Sequence, residues 1–440
     1  MRYQKIYPAC LCYCAALLIL AFVLDTPANI WQGLQKIVLL EDTLITDYME
    51  LAGLGATFVN SALVLLASLL ILRLVEDPLN GNTLVVLGLM GGFSLFGKNI
   101  FNMWPFVMGA FLYARLRHEP FVKYSNVALM STCLSPIVSY VCFYGGWFNF
   151  FLGILLGVCI GFVLPPLSAY TFRIQNGMNL YNMGFACGLM AMMVVPVMNS
   201  MGKAPSTVLI WSTEYNLTLG IFMAVLCLVF IIVGFFFCGR PPWASWAGYR
   251  YLLKATGRAP NDFLRTYGAA PTLINMGVNG LIATGYILLI GGHLNGPTLG
   301  GILTIIGFSA YGKHCLNIVP IMLGVVLGGV TMQWNLTDPA TQIAGLFCTT
   351  LAPIAGYFGW PFGILAGFLH SSVVLRTGGP VSGLNLYNNG FSGGLIAIVL
   401  YPILTAVVRR RRPVLQDEDY FDTFEHDEPI TPVSSSDLKS

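Results

Sequence analysis

The residues of this chain best equipped to do chemistry come in two short polar clusters, and each cluster occurs twice. One reads GKxxxN, preceded by a serine: Ser94, Lys98 and Asn102 in the first occurrence, Ser309, Lys313 and Asn317 in the second. The other reads NLYN: Asn179, Tyr181 and Asn182, then Asn385, Tyr387 and Asn388. Lysine is a point cation with three donors, and serine, tyrosine and asparagine add hydroxyl and amide groups that both donate and accept. Such a set can hold a small polar or anionic solute. It contains no nucleophile paired with a base, and the chain has no HExxH, GxSxG, Walker or strand-flanked GxGxxG pattern. We expect no catalytic residue, no metal and no cofactor. The plainer readings are lysines snorkelling at helix ends and asparagines acting as helix caps or interhelical glue.

The elements that position these clusters must lie in lipid. Of 440 residues, 56% are hydrophobic and 9% charged, whereas a soluble domain is roughly a quarter charged. Apolar windows of about 20 residues recur from end to end, so the fold class is an all-α polytopic membrane protein. No Asp or Glu falls inside a predicted span, and Glu50 lies at the edge of one. That argues against a carboxylate proton relay or a divalent-cation site and leaves anion binding by Lys98 and Lys313 open. Coupling to Na+ through carbonyls and hydroxyls also stays open, and H+ is the other coupling ion considered. His370 and His314 lie in the repeated region without a histidine at the matching positions, Ile160 and Asn99. A lone intramembrane histidine could relay protons, with packing as the alternative. The 11 cysteines form no CxxC pair, and Cys10, Cys12 and Cys14 read as small apolar helix residues.

The clusters recur because the chain is duplicated. LNGxTL followed by GFSxxGKxxxNxxPxxxG spans Leu79 to Gly109 and again Leu294 to Gly324 without a gap. LSPI at Leu134 pairs with LAPI at Leu351, GILLG at Gly153 with GILAG at Gly363, and the NLYN blocks follow in the same order. The organisation expected is a first helix and acidic external segment (1–48), a first repeat (49–202), a connecting helix and basic cytoplasmic linker (203–270), a second repeat (271–408) and a basic-then-acidic disordered cytoplasmic tail (409–440). Each repeat holds about six hydrophobic elements and is preceded by one extra helix. The first helix reads as retained rather than as a cleaved signal.

Lys/Arg bias sets the topology. Arg2 and Lys5 place the N-terminus inside, the acidic segment after the first span falls outside, and Arg115, Arg117 and Lys123 fall inside. The second repeat then starts at the basic linker and ends at Arg409–Arg412, so both termini are cytoplasmic and the repeats are inverted. Inverted repeats place solute sites near the midplane on broken helices. The runs 83–97 and 103–114, matched by 298–312 and 318–333, are short for spanning helices. Pro105 and Pro320 are expected to start the second run of each pair. Each pair reads as a re-entrant hairpin with GKxxxN at its tip, the two tips meeting mid-membrane. Ser135–Pro136 and Pro353 are further helix-break points.

With these motifs the chain resembles the duplicated bacterial membrane protein family catalogued only as a domain of unknown function, over roughly residues 45–410. The resemblance implies a bacterial cytoplasmic (inner) membrane and no activity. The architecture is also similar to duplicated polar-solute channels such as urea transporters, whose Thr-x-Pro-Phe signature has no clear copy here. The reading reached is a secondary transporter or facilitative channel for a small solute, partnered by the bilayer and a coupling ion, with a homo-oligomer left open and no nucleic acid. The alternatives are a membrane enzyme on a lipid-linked substrate and a non-transporting subunit or sensor that partners through its tail.

Overall fold

The computed structural model describes residues 6–40, 45–144, 146–202 and 208–408. Arg2, Lys5, Glu41, Asp42, Arg409–Arg412 and the acidic tail, which carry part of the charge pattern, lie outside these residues. Among the described residues the chain is helical, with one isolated bridge between Thr46 and Ile210 and no strand. Eight of the described helices are long and apolar enough to cross a membrane: Ile6–Leu24, Tyr48–Leu74, Ser125–Phe143 taken across its break, Trp147–Ile174, Asn182–Ser200, Asn216–Phe236, Ala269–Leu289 and Asn388–Val407. Many polar side chains are buried, while Ile6–Leu24 and Asn216–Phe236 are mostly exposed, as lipid-facing helices are. The protein is a polytopic membrane protein built from two copies.

Each copy repeats one order of elements. A long helix (Tyr48–Leu74; Ala269–Leu289) leads into a pair of short ones (Gly81–Phe93 and Trp104–Leu116; Gly296–Phe308 and Cys315–Thr331). A broken helix follows, interrupted by a 3-10 turn at Thr132–Leu134 in one copy and Cys348–Leu351 in the other. Pro136 and Pro353 open the piece after the break, where a missing N–H costs nothing. Trp147–Ile174 and Trp360–Thr377 come next, and Asn182–Ser200 and Asn388–Val407 close each copy. The extra helix before each copy is present, and it is followed by a second, short helix, Pro27–Leu39 or Pro242–Leu252. Both the extra helix and the short one pack on the long helix that opens their copy, so the structural duplication starts earlier than the sequence motifs.

The copies meet along Gly81–Phe93 and Gly296–Phe308, which pack antiparallel. Gly88 faces Leu303, the residue at its own place in the other copy; a Cβ on Gly88 would sit 2.7 Å from the Leu303 carbonyl oxygen. Toward one end Gly92 abuts Gly300, where a Cβ would lie 2.7 Å from the carbonyl, and toward the other Gly307 abuts Leu84 and Val85. Self-contact between matching residues defines a pseudo-two-fold axis perpendicular to these helices. Equivalent helices therefore point opposite ways, which is the inverted arrangement.

The LNGxT motif is the base of each short helix. Asn80 and Thr83 form a reciprocal capping box, as do Asn295 and Thr298. The glycine between them makes room for an aspartate from the other copy. Gly81 N–H donates to the Asp262 carboxylate at 3.1 and 3.0 Å, and Gly296 N–H donates to Asp47 Oδ1 at 3.1 Å. Asp47 also accepts from Met49 N–H at 3.0 Å and Ser212 N–H at 3.1 Å. Burial pushes its carboxyl above the usual carboxylate range, and these hydrogen bonds pull against that. An acid at a helix N-terminus further complements the macrodipole.

The two GKxxxN tips do not meet each other as their sequence suggested. Each first helix has 13 residues, or about 20 Å at 1.5 Å per residue, against a hydrocarbon core of about 30 Å. Tyr48 N–H donates to the Leu95 carbonyl at 3.2 Å, and Phe263 N–H donates to Ala310 at 3.1 Å. Leu95 lies beside Gly296 and Ala310 beside Gly81. Each tip thus reaches the base of the other copy's hairpin, and the two tips stand at opposite ends of the antiparallel pair. Pro105 starts its helix as expected, but Pro320 lies inside Cys315–Thr331, because His314 and Asn317 already cap that helix upstream. Replacing Asp47 by Ala removes a buried acceptor for several amides and should lower stability by about 2–4 kcal/mol, read as a fall in melting temperature in detergent that Asp25→Ala does not reproduce. Gly92→Leu should prevent accumulation of folded protein, since the added side chain meets backbone.

Candidate functional site

The tip of each hairpin is a turn that only glycine adopts easily, with φ of +78° at Gly97 and +100° at Gly312. Both glycines are buried, so the carbonyls of the turn need donors. Asn102 donates to the Gly97 carbonyl at 3.2 Å and to Ser139 Oγ at 2.9 Å, while its Oδ1 accepts from Asn99 N–H at 2.9 Å. Asn317 repeats this with the Gly312 carbonyl and His314 N–H, both at 2.9 Å. Ser94 and Ser309 donate back to their own helices. These four residues of the predicted set hold the turn together.

Two residues outside that set complete it. Asn60 donates to the carbonyls of Ser94 and Lys98 at 2.7 and 2.9 Å, and Asn275 donates to those of Ser309 and Lys313, both at 2.7 Å. Both sit mid-helix, fully buried. The signal was present in the sequence: TFVN at Thr57 aligns with TLIN at Thr272, an amide kept in both copies within an apolar run.

The NLYN segments cross between copies and bind the opposite tip. Leu180 N–H donates to the Thr350 carbonyl and Leu386 N–H to the Cys133 carbonyl, each at 3.0 Å. Leu180 packs against Gly312 and Leu386 against Gly97. The two tyrosines then stack on the axis, Tyr181 on Tyr387, with centroids 4.7 Å apart and planes 21° apart. Phe185 and Phe391 stack below them at 5.8 Å, and Phe308 and Phe93 lie against Tyr181 and Tyr387 at 4.8 and 5.2 Å. Asn182 fastens its segment to the preceding helix through Thr171, Gln175 and the Ser168 carbonyl, and Asn388 does so through Thr377.

Both lysines point into this aromatic core and are 1% and 0% exposed. Lys313 donates to the Tyr181 hydroxyl and to Thr349 Oγ1 at 2.8 Å, and its Nζ lies 4.2 Å from the Tyr181 ring centroid and 5.0 Å from that of Phe308. Lys98 Nζ lies 5.5 Å from the Phe93 centroid, with the Met90 thioether at 3.3 Å. A continuous path of rings, Phe308–Tyr181–Tyr387–Phe93, joins the two amines across the axis. The ion pairs Lys123–Glu119 and Arg265–Asp262 lie away from this core.

The chain matches the family described as "Protein of unknown function (DUF1576)" over residues 26–200 and again over 241–406. It belongs to that family. The two matches begin at the short helices Pro27–Leu39 and Pro242–Leu252, one helix after the start of the structural repeat. No curated protein and no solved structure matches the chain, and the likeness to urea transporters gains no support from these comparisons.

Within this DUF1576 protein, Arg258 is a further buried cation that the sequence reading left in the basic linker. It is 2% exposed, donates to the Asn176 carbonyl at 2.8 Å and Tyr401 hydroxyl at 3.2 Å, and stacks over Tyr357 and Tyr401. It clamps the turn leading into the first NLYN segment. His370 is buried, with Nε2 3.2 Å from the Asn389 carbonyl, and His314 Nε2 meets the Ala255 carbonyl at 2.8 Å. Replacing Asn60 or Asn275 by Ala leaves two tip carbonyls without their donor and should cost about 2–4 kcal/mol each. Melting in detergent checks this, with exposed Asn29→Ala expected to change little.

Proposed function

We propose that this membrane protein is a secondary transporter or facilitative channel for a small polar or anionic solute. The observation that carries the reading is the pair of buried lysine amines flanking the axis between inverted copies. An amine removed from water costs several kcal/mol unless an acceptor meets it, and polar groups kept at membrane depth mark solute paths more often than scaffolding. Short paired helices whose tips reach the opposite copy supply elements that can shift against each other, as in alternating-access carriers. The absence of acids from the predicted spans favours a solute that accepts hydrogen bonds over a divalent cation.

The reading places the protein in a bacterial cytoplasmic membrane with both termini inside, supported by the Lys/Arg bias of the sequence. Flux is tested with purified protein in liposomes, using entry of small monovalent anions and of neutral amides under an imposed Na+ gradient, an H+ gradient, or neither. Wild-type protein should accelerate entry of at least one class over empty liposomes. The Lys98→Met/Lys313→Met double variant should slow that entry at least about tenfold, as expected for loss of hydrogen bonds to a charged group. Flux equal to wild type in a folded double variant would remove the lysines from the mechanism.

A further inference from the structure

The two lysine sites began as copies, and they now differ in one respect that matters for binding. In the second-copy site the amine has side-chain acceptors at hand: Lys313 reaches the Tyr181 hydroxyl and Thr349 directly. Asn179 Nδ2 on the same NLYN segment donates to the Gly390 carbonyl at 3.0 Å and is also held by Gln175. At the matching places of the first-copy site the partners are missing. The Tyr387 hydroxyl and Asn385 Nδ2 are buried without a hydrogen-bond partner among the described residues. Val381 stands where Gln175 stands in the other copy, so Asn385 has lost that neighbour.

Met90 accounts for the difference at the lysine. Its matching residue is Ile305, which leaves Lys313 in direct contact with Thr349. Here the thioether sulfur comes between the matching pair, 3.3 Å from Lys98 Nζ and 3.6 Å from Thr132 Oγ1. Sulfur is a weak acceptor, and the methionine side chain is unbranched and easily moved. Lys98 and Tyr387 flank one ring, that of Phe93, which lies 5.5 Å from the amine and 5.2 Å edge-on to the tyrosine. Cys133 and Cys187 are electrostatic neighbours of both.

We propose that the Lys98 site alone is a ligand site: a small monovalent anion displaces the Met90 sulfur and accepts hydrogen bonds from Lys98 Nζ and the Tyr387 hydroxyl. The Lys313 site is its closed counterpart, where Tyr181 and Thr349 already occupy the amine. This deepens the transport reading by assigning the solute to one half of the core, and it rests on that reading only for calling the ligand the solute.

The test is anion-dependent thermal stabilisation of the purified protein in detergent. Sodium chloride, bromide, nitrate and formate are titrated against sodium gluconate at constant ionic strength. At least one small anion should raise the wild-type melting temperature in a saturable way. Tyr387→Phe and Lys98→Met should weaken its apparent affinity about tenfold or more, while Tyr181→Phe should stay within about twofold. Tyr387→Phe is the decisive variant, because it keeps the ring stack and removes a hydroxyl that bonds to nothing, so it should fold. No stabilisation of wild type by any of the four anions overturns the site, and so does equal loss in Tyr181→Phe and Tyr387→Phe. Wild-type protein that binds the anion but passes no solute in liposomes would sink the transport reading and leave this site standing. Flux that persists while binding ignores Tyr387→Phe would do the reverse.

Discussion

The structure depends on satisfying backbone groups that interrupted helices expose inside a membrane. A continuous helix meets this demand by itself, but one that ends after 13 residues cannot. At the base the demand is for acceptors, met by the asparagine–threonine capping boxes and by Asp47 and Asp262 across the axis. At the tip it is for donors, met by Asn60 and Asn275 from the neighbouring helix and Asn102 and Asn317 within the turn. The other repeated features serve these two ends. Glycines let the antiparallel pair come close enough for each aspartate to reach, and the NLYN segments cross to cover the opposite turn.

This division explains what could be read from the sequence. Lipid solvent, duplication, the short paired helices and the break before Pro136 and Pro353 all depend on local composition or on direct comparison of the two copies. The inverted arrangement followed from charge bias and is carried in the structure by Gly88 meeting Leu303. The polar motifs were found, but two kinds of residue within them could not be separated. Asn102, Asn317, Ser94 and Ser309 bond to backbone close in sequence, whereas Lys98, Lys313, Tyr181 and Tyr387 converge from both copies on the axis. Only the fold distinguishes local from convergent bonds. Asn60 and Asn275 escaped because a lone amide in an apolar run looks like interhelical glue until its two carbonyl partners are known.

The placement of the tips was misjudged for a related reason. Matching motifs at the ends of matching hairpins suggest a meeting of like with like. In an antiparallel pair the axis passes through the helix middles, so like meets like at Gly88 and Leu303 and at the two tyrosines, while tip meets base. The lysines still approach a common core because their side chains reach back from the tips toward the ring stack.

Residues on the axis face their own counterparts, which has a consequence for descent. Before the two halves were joined, an identical half inserted in both orientations would have formed an antiparallel homodimer, and each axial substitution would have appeared on both sides at once. Such a dimer has two equal lysine pockets and cannot leave one open while sealing the other. Fusion of the genes lifts that restriction. Met90 and Ile305, Cys133 and Thr350, and Val381 and Gln175 can then drift apart, and a symmetric scaffold gains a distinct front and back.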